Sequence, residues 1–191
     1  MVAGRQAVGM ETTTISTTTD PYTRHTREIA AAVTLPAAAR ALVAPEDLSA
    51  SGAVAVTTAC GALATRLALV RFLADPGPVD AADVRPLDPF SEPTPSALHG
   101  SGPEPDRDRV RTAGDRCVEA WRRWTRSSDS GLSEIGVAGA LALGAWCSWA
   151  LGSELRATTR ARHALAVRAD DPLAGLVLRT CRAGARAAWR R

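Results

Sequence analysis

The sequence predicts an all-α protein, an Ala-rich helical bundle, and three observations carry that reading. Apolar residues between Asp108 and Arg126 recur at helical offsets while charges fill the other side. Ile135–Ser153 is a nineteen-residue run without a charge, long enough only for a helix. Asp170-Asp171-Pro172 has the chemistry of a helix start, with Asp at the cap and Pro at the first position, where no amide donor is needed. Of the 191 residues 38 are Ala, and 46% are hydrophobic, so a core of closely approaching helices is within reach. All 23 basic residues are Arg, and Lys and Asn are absent, as a GC-rich coding bias would produce.

Along the chain, residues 1–22 read as a disordered start: Met1–Asp20 is polar and Thr-rich, with no period. Met10 is a second candidate for the first residue. Lacking an apolar signal core, this start argues for a cytoplasmic protein. Residues 23–74 read as a small helical region. Ile29, Val33, Ala37 and Leu42 outline a helix that ends or kinks near Leu35, because Pro36 removes a backbone donor and clashes with the preceding turn. Leu63, Leu67, Val70 and Ala74 outline another, from about Thr58 to Ala74. The Ala53–Thr58 run before it fits strand or helix, with helix preferred. Residues 75–106 hold eight of the twelve prolines and read as a Pro-rich linker that divides the chain.

Residues 107–191 read as a C-terminal helical domain of four helices. Val110, Ala113, Gly114, Cys117, Trp121 and Trp124 form the inner face of the first, which Ser127–Gly131 stops. Ile135–Ser153 is either a buried helix or a single membrane span. After a turn at Gly152, Ser153 is the expected cap of a helix over Glu154–Arg168 whose thin stripe is Ala157, Ala161, Ala164 and Leu165. The last helix is expected from Pro172 to about Ala188. Leu173, Leu176, Val177, Thr180, Cys181, Gly184 and Ala188 face inward, and Arg179, Arg182, Arg186 and Arg190 lie opposite.

Little in the sequence carries chemistry. There is no Gly-rich nucleotide loop, no HExxH, no GxSxG and no paired-cysteine zinc spacing, so no catalytic, cofactor-binding or metal-binding residue is assigned, and no cofactor is expected. Cys60, Cys117, Cys147 and Cys181 are dispersed and read as reduced core thiols. His25, His99 and His163 are scattered. A nucleophile pair of His163 with Cys147 or Cys181 would need hydrogen-bond reach and a stabilised thiolate, and nothing in the sequence supplies either. Asp170 and Asp171 read as capping rather than as an acid–base pair. Trp121/Trp124 and Trp146/Trp149 share helical faces as core, with exposed anchors as the alternative.

Charge is unevenly spread. Residues 1–95 hold seven Arg against ten acids, a net −3, and residues 96–191 hold sixteen against ten, a net +6. The surface of Arg179, Arg182, Arg186 and Arg190 is the candidate binding surface. It is either a solvated face or a contact for nucleic acid or an acidic partner.

Trp121, the Ala/Leu run ending at Ala145-Trp146, Gly152, Ala157, Ala164-Leu165-Ala166, Asp170 and Leu173-Ala174 resemble the C-terminal helical part of the actinobacterial domain-of-unknown-function 4192 family. The resemblance covers about 70 residues, and the family's N-terminal α/β half is not visible. The family's usual Pro before its Asp is displaced, with Ala169 in its place. It implies a diverged or truncated member and brings no activity. The Gly152 to Leu165 stretch is also similar to one tetratricopeptide helix pair, in which small residues let helices approach. The sequence therefore predicts a non-catalytic interaction or scaffolding module with a protein partner. Non-specific nucleic-acid association through the C-terminal Arg-rich helix and a membrane anchor through 135–153 are the alternatives.

Overall fold

The structure, a computed structural model, describes residues 21–77, 79–126 and 133–190. The polar start over 1–20 and the expected helix stop over 127–131 lie outside the described residues. Seven α-helices follow one another among the described residues, and no strand: α1 (Pro21–Val43), α2 (Ala50–Ala59), α3 (Leu63–Ala74), α4 (Arg107–Arg126), α5 (Glu134–Ala150), α6 (Glu154–Val167) and α7 (Pro172–Arg182). The protein is all-α.

Helix α1 continues past Pro36 instead of ending near Leu35. An interior proline costs about 3 kcal/mol. Leu35 and Leu42 are fully buried on either side of it, with Ala38 and Ala39 between them. Burying each leucine gains about 1.5–3 kcal/mol, so packing outweighs the local penalty.

The helix expected over Thr58–Ala74 is two helices. The Ala53–Thr58 run belongs to α2, the chain turns at Cys60–Ala62, and α3 leaves at 113° to α2. Thr65 secures the corner: its hydroxyl donates to the Ala59 carbonyl at the end of α2 and to Ala62 O at 2.9 Å. Leu63, expected inside, is 42% exposed, because α3 buries a broad face that includes Leu69, Val70, Phe72 and Leu73.

Helix α5 fills the centre of the bundle. Every residue from Gly136 to Ala150 is buried. At 17 residues it is shorter than the run of 135–153 that raised the prospect of a span. No single described helix is long and apolar enough to cross a membrane; α2 and α3 together pass by length and composition only. The contact that seats α5 is backbone on backbone. A Cβ added at Gly136 would lie 2.2 Å from Thr57 O, and one at Gly139 would lie 2.1 Å from Cys60 O. The α5 glycines thus press against the carbonyls of the α2–α3 corner. Further along, Gly144 faces Gly114 and Cys117 of α4.

Residues 75–106 hold two 3₁₀ turns, Ala81–Asp83 and Ser96–His99. Ala81, Val84, Ala97 and Leu98 belong to the same core cluster as the helices on both sides. Leu87 N donates to Ala64 O at 3.2 Å, and Arg109 Nη1 donates to Gly77 O at 3.2 Å.

Helix α4 starts on Asp106, whose carboxylate accepts from the amides of Asp108 and Arg109, each at 2.9 Å. Those bonds, Arg109 first, hold the Asp106 carboxyl below its usual range. The inner face is Val110, Ala113, Gly114, Cys117 and Ala120, with Trp121 and Trp124 half-buried at its edge. Ser153 stands at the cap of α6, but its side chain caps no amide; Ala157, Ala161 and Ala164 are fully buried as a thin stripe.

Asp171 both starts α7 and closes the fold. Its Oδ1 accepts from Ala174 N at 2.9 Å, and Pro172 takes the first helical position. Its Oδ2 accepts from Arg66 Nη1 of α3 at 2.6 Å, with the two side chains 0% and 3% exposed. Removing one member of such a buried pair strands a charge out of water, at about 3–5 kcal/mol. Urea unfolding of Arg66→Ala should therefore show a loss of about 3–5 kcal/mol, whereas loss of the exposed Arg24–Glu28 pair should leave the midpoint unmoved. Gly139→Ala, which drives a methyl into a carbonyl, should cost at least about 1–3 kcal/mol by the same measurement; an unchanged midpoint would mean that α5 does not sit on the corner as described.

Candidate functional site

The four C-terminal arginines do not form one helical stripe. Helix α7 ends at Arg182, not near Ala188, and Gly184 turns the chain at φ +62°. Arg179 and Arg182 are exposed on α7. Arg186 and Arg190 lie past the turn, where both line a pocket of about 230 Å³ with Trp149, Gly152 and Glu154. Arg190 sits in a 3₁₀ turn, Ala188–Arg190, half-buried against Gly152 and 3.8 Å from Glu104. The structure thus brings Arg186 and Arg190 together and leaves Arg179 and Arg182 on a separate face.

The early end of α7 follows from where the tail docks. Three indoles fasten neighbouring backbone: Trp146 Nε1 donates to Ala97 O at 3.2 Å, Trp149 Nε1 to Ala185 O at 2.9 Å and Trp189 Nε1 to Ala150 O at 3.1 Å. Ala188 N donates to Gly100 O at 2.7 Å. Gly100 has φ +75°, and a Cβ there would meet Ala187 Cα at 2.6 Å. A helix continued to Ala188 could not make the contacts of Ala185, Ala187, Ala188 and Trp189. Trp146 and Trp149 are buried, as their spacing predicts; the anchoring role of Trp189 had no periodic signal.

The cysteines are free and buried. Burial pushes the Cys60 thiol up to about 12, against the opposing pull of Arg66, and the Cys147 thiol up to about 12, against that of Arg160. Burial likewise raises Cys117 well above its ordinary value. Cys181 is raised too, by burial more than its Thr158 hydrogen bond lowers it. His163 is exposed, and its ring lies against Trp121 with centroids 5.2 Å apart. No described hydrogen bond joins it to a thiol. Asp170 pairs with Arg168 at 2.6 Å while Asp171 turns inward, so the two carboxylates serve different elements. No cluster of three or more metal-ligating side chains occurs among the described residues.

Residues that the sequence reading used to outline a helix form an apolar line on the surface. Ile29 and Val33, one turn apart on α1, are 51% and 75% exposed, and Ala37 continues their line. The line runs into a groove of about 370 Å³ between α1 and α2, walled by Ala37, Ala41, Leu48 and Ala55 and edged by Arg40 and Arg116.

Nucleophilic attack requires thiolate, which the buried cysteines withhold. In the native protein at about pH 8, an aromatic disulfide reagent is expected to leave Cys60, Cys117 and Cys147 unmodified and to label them on unfolding. Rapid native labelling of any of the three would contradict this arrangement. Comparison with family models, with curated proteins and with solved structures finds no match to this chain.

Proposed function

We propose that the chain is a non-catalytic helical interaction module that takes a protein partner on the outer face of α1. The observation that carries this reading is the Ile29–Val33–Ala37 line, three exposed apolar residues on one face of α1. A contiguous exposed apolar strip continuing into a groove is what a partner helix covers. The charged rim of Arg40 and Arg116 suits the polar margin of such a contact. The four unpaired thiols fit a reducing, cytoplasmic setting. The resemblance of 121–191 to the actinobacterial family agrees with a helical module and adds no activity.

A second reading, association with nucleic acid, is favoured by one observation: Arg179, Arg182 and Arg186 are exposed and in no ion pair among the described residues. It requires binding to duplex DNA at about 50 mM salt that falls steeply as salt rises.

Photo-crosslinking from position 33 separates these readings. A discrete protein adduct, lost in Ile29→Asp/Val33→Asp at unchanged helical circular dichroism, supports the interaction module. If no adduct forms and the hydrodynamic mass stays that of one chain, the α1 face has no partner and the reading fails.

A further inference from the structure

A pocket of about 160 Å³ lies between α4 and α6. Arg107 and Arg111 of α4 line it from one side, Arg156 and Arg160 of α6 from the other. Each pair is spaced four residues apart, so each helix contributes two arginines from one face to the same pocket. Asp115 is the carboxylate on the wall, which leaves the lining at a net +3.

Two of the four cations are already engaged. Arg160 is 16% exposed, donates from Nη2 to Asp115 Oδ1 at 2.7 Å and from Nη1 to Gly144 O at 3.2 Å, and is thereby fixed in place. Arg111 pairs with Asp108. Arg107 and Arg156 are exposed and in no ion pair among the described residues. Gathering like charges at this spacing is unfavourable unless an anion compensates them. Ser153, beside the first turn of α6, also lines the pocket, and its side chain caps no amide there.

We propose that this pocket binds a phosphate group. Planar guanidinium forks match the oxygens of a phosphate in pairs, and Arg107 and Arg156 offer one such fork from each helix, with the charges of Arg111 and Arg160 beside them. The volume sets the size of the ligand: it is well below the ~300–1,000 Å³ of sites that enclose a whole small molecule. It therefore takes a single tetrahedral anion, or the phosphate end of something larger that stays outside.

The full chain should be titrated with inorganic phosphate and separately with phosphoserine, at constant ionic strength, by ³¹P line broadening and calorimetry. Saturable binding of inorganic phosphate identifies the free anion as sufficient; binding of phosphoserine with a clear preference identifies a phosphate carried on a larger molecule. In either case Arg107→Ala/Arg156→Ala should weaken affinity at least about tenfold, the loss of one or more charge-assisted hydrogen bonds, while Arg122→Ala/Arg162→Ala, exposed on the same two helices outside the pocket, leaves it unchanged. Both α4–α6 arginines are exposed, so the variant should keep its helical signal; Arg111→Ala is a second, independent weakening substitution. Absence of saturable binding by wild-type protein to either probe, or binding indifferent to Arg107, Arg111 and Arg156, overturns the proposal.

Discussion

The fold depends on how closely the backbone of α5 can approach the corner between α2 and α3. At Gly136 and Gly139 there is no side chain between that helix and the carbonyls of Thr57 and Cys60. A helix held that near can be surrounded: α4 approaches it through Gly114, α6 through its alanine stripe, and α7 packs on the remaining side. Small residues here do the work that large aliphatic side chains do in other cores. They supply contact by proximity and not by volume. Trp146 and Trp149 are the bulky exceptions on α5, buried along with Leu141 and Leu143.

Such a core is apolar but poor in interlocking shapes, and its orientation is fixed by polar contacts. Arg66 and Asp171 join α3 to the first turn of α7 inside the protein. Asp171 serves as helix cap and as counter-ion with different oxygens, so the start of α7 is specified twice. Arg123 and Arg116 reach across from α4 to carbonyls of the α1–α2 connection, Leu48 O and Ala44 O, at 2.7 and 2.8 Å. The abundance of arginine thus has a structural use: long side chains bridge elements whose short neighbours cannot.

What was legible in the sequence was local. The period of α4, the start of α7 at Asp171-Pro172 and the uncharged length of α5 each depend on a few adjacent residues, and each stands in the structure. What was not legible depended on distant partners. Arginine reads as a surface residue, so the burial of Arg66 could not be inferred without Asp171, 105 positions away. Pro36 obeys a local rule that the packing of Leu35 and Leu42 overrides. The early end of α7 is imposed by the docking of Ala188 on Gly100. The same division holds for function. The four-residue spacing of Arg107/Arg111 and of Arg156/Arg160 is plain in the sequence, but their convergence needs α4 and α6 to be neighbours of α5.

The three indole anchors have an evolutionary corollary. Every acceptor is a main-chain oxygen, at Ala97, Ala185 and Ala150, and no acceptor depends on what its residue carries. Drift at those receiving positions is limited by space alone, whereas the tryptophans have no substitute with equal reach and an N–H at its tip. Divergent versions of this architecture would therefore keep the ring and lose the residue it touches, a one-sided trace that pairwise covariation would miss.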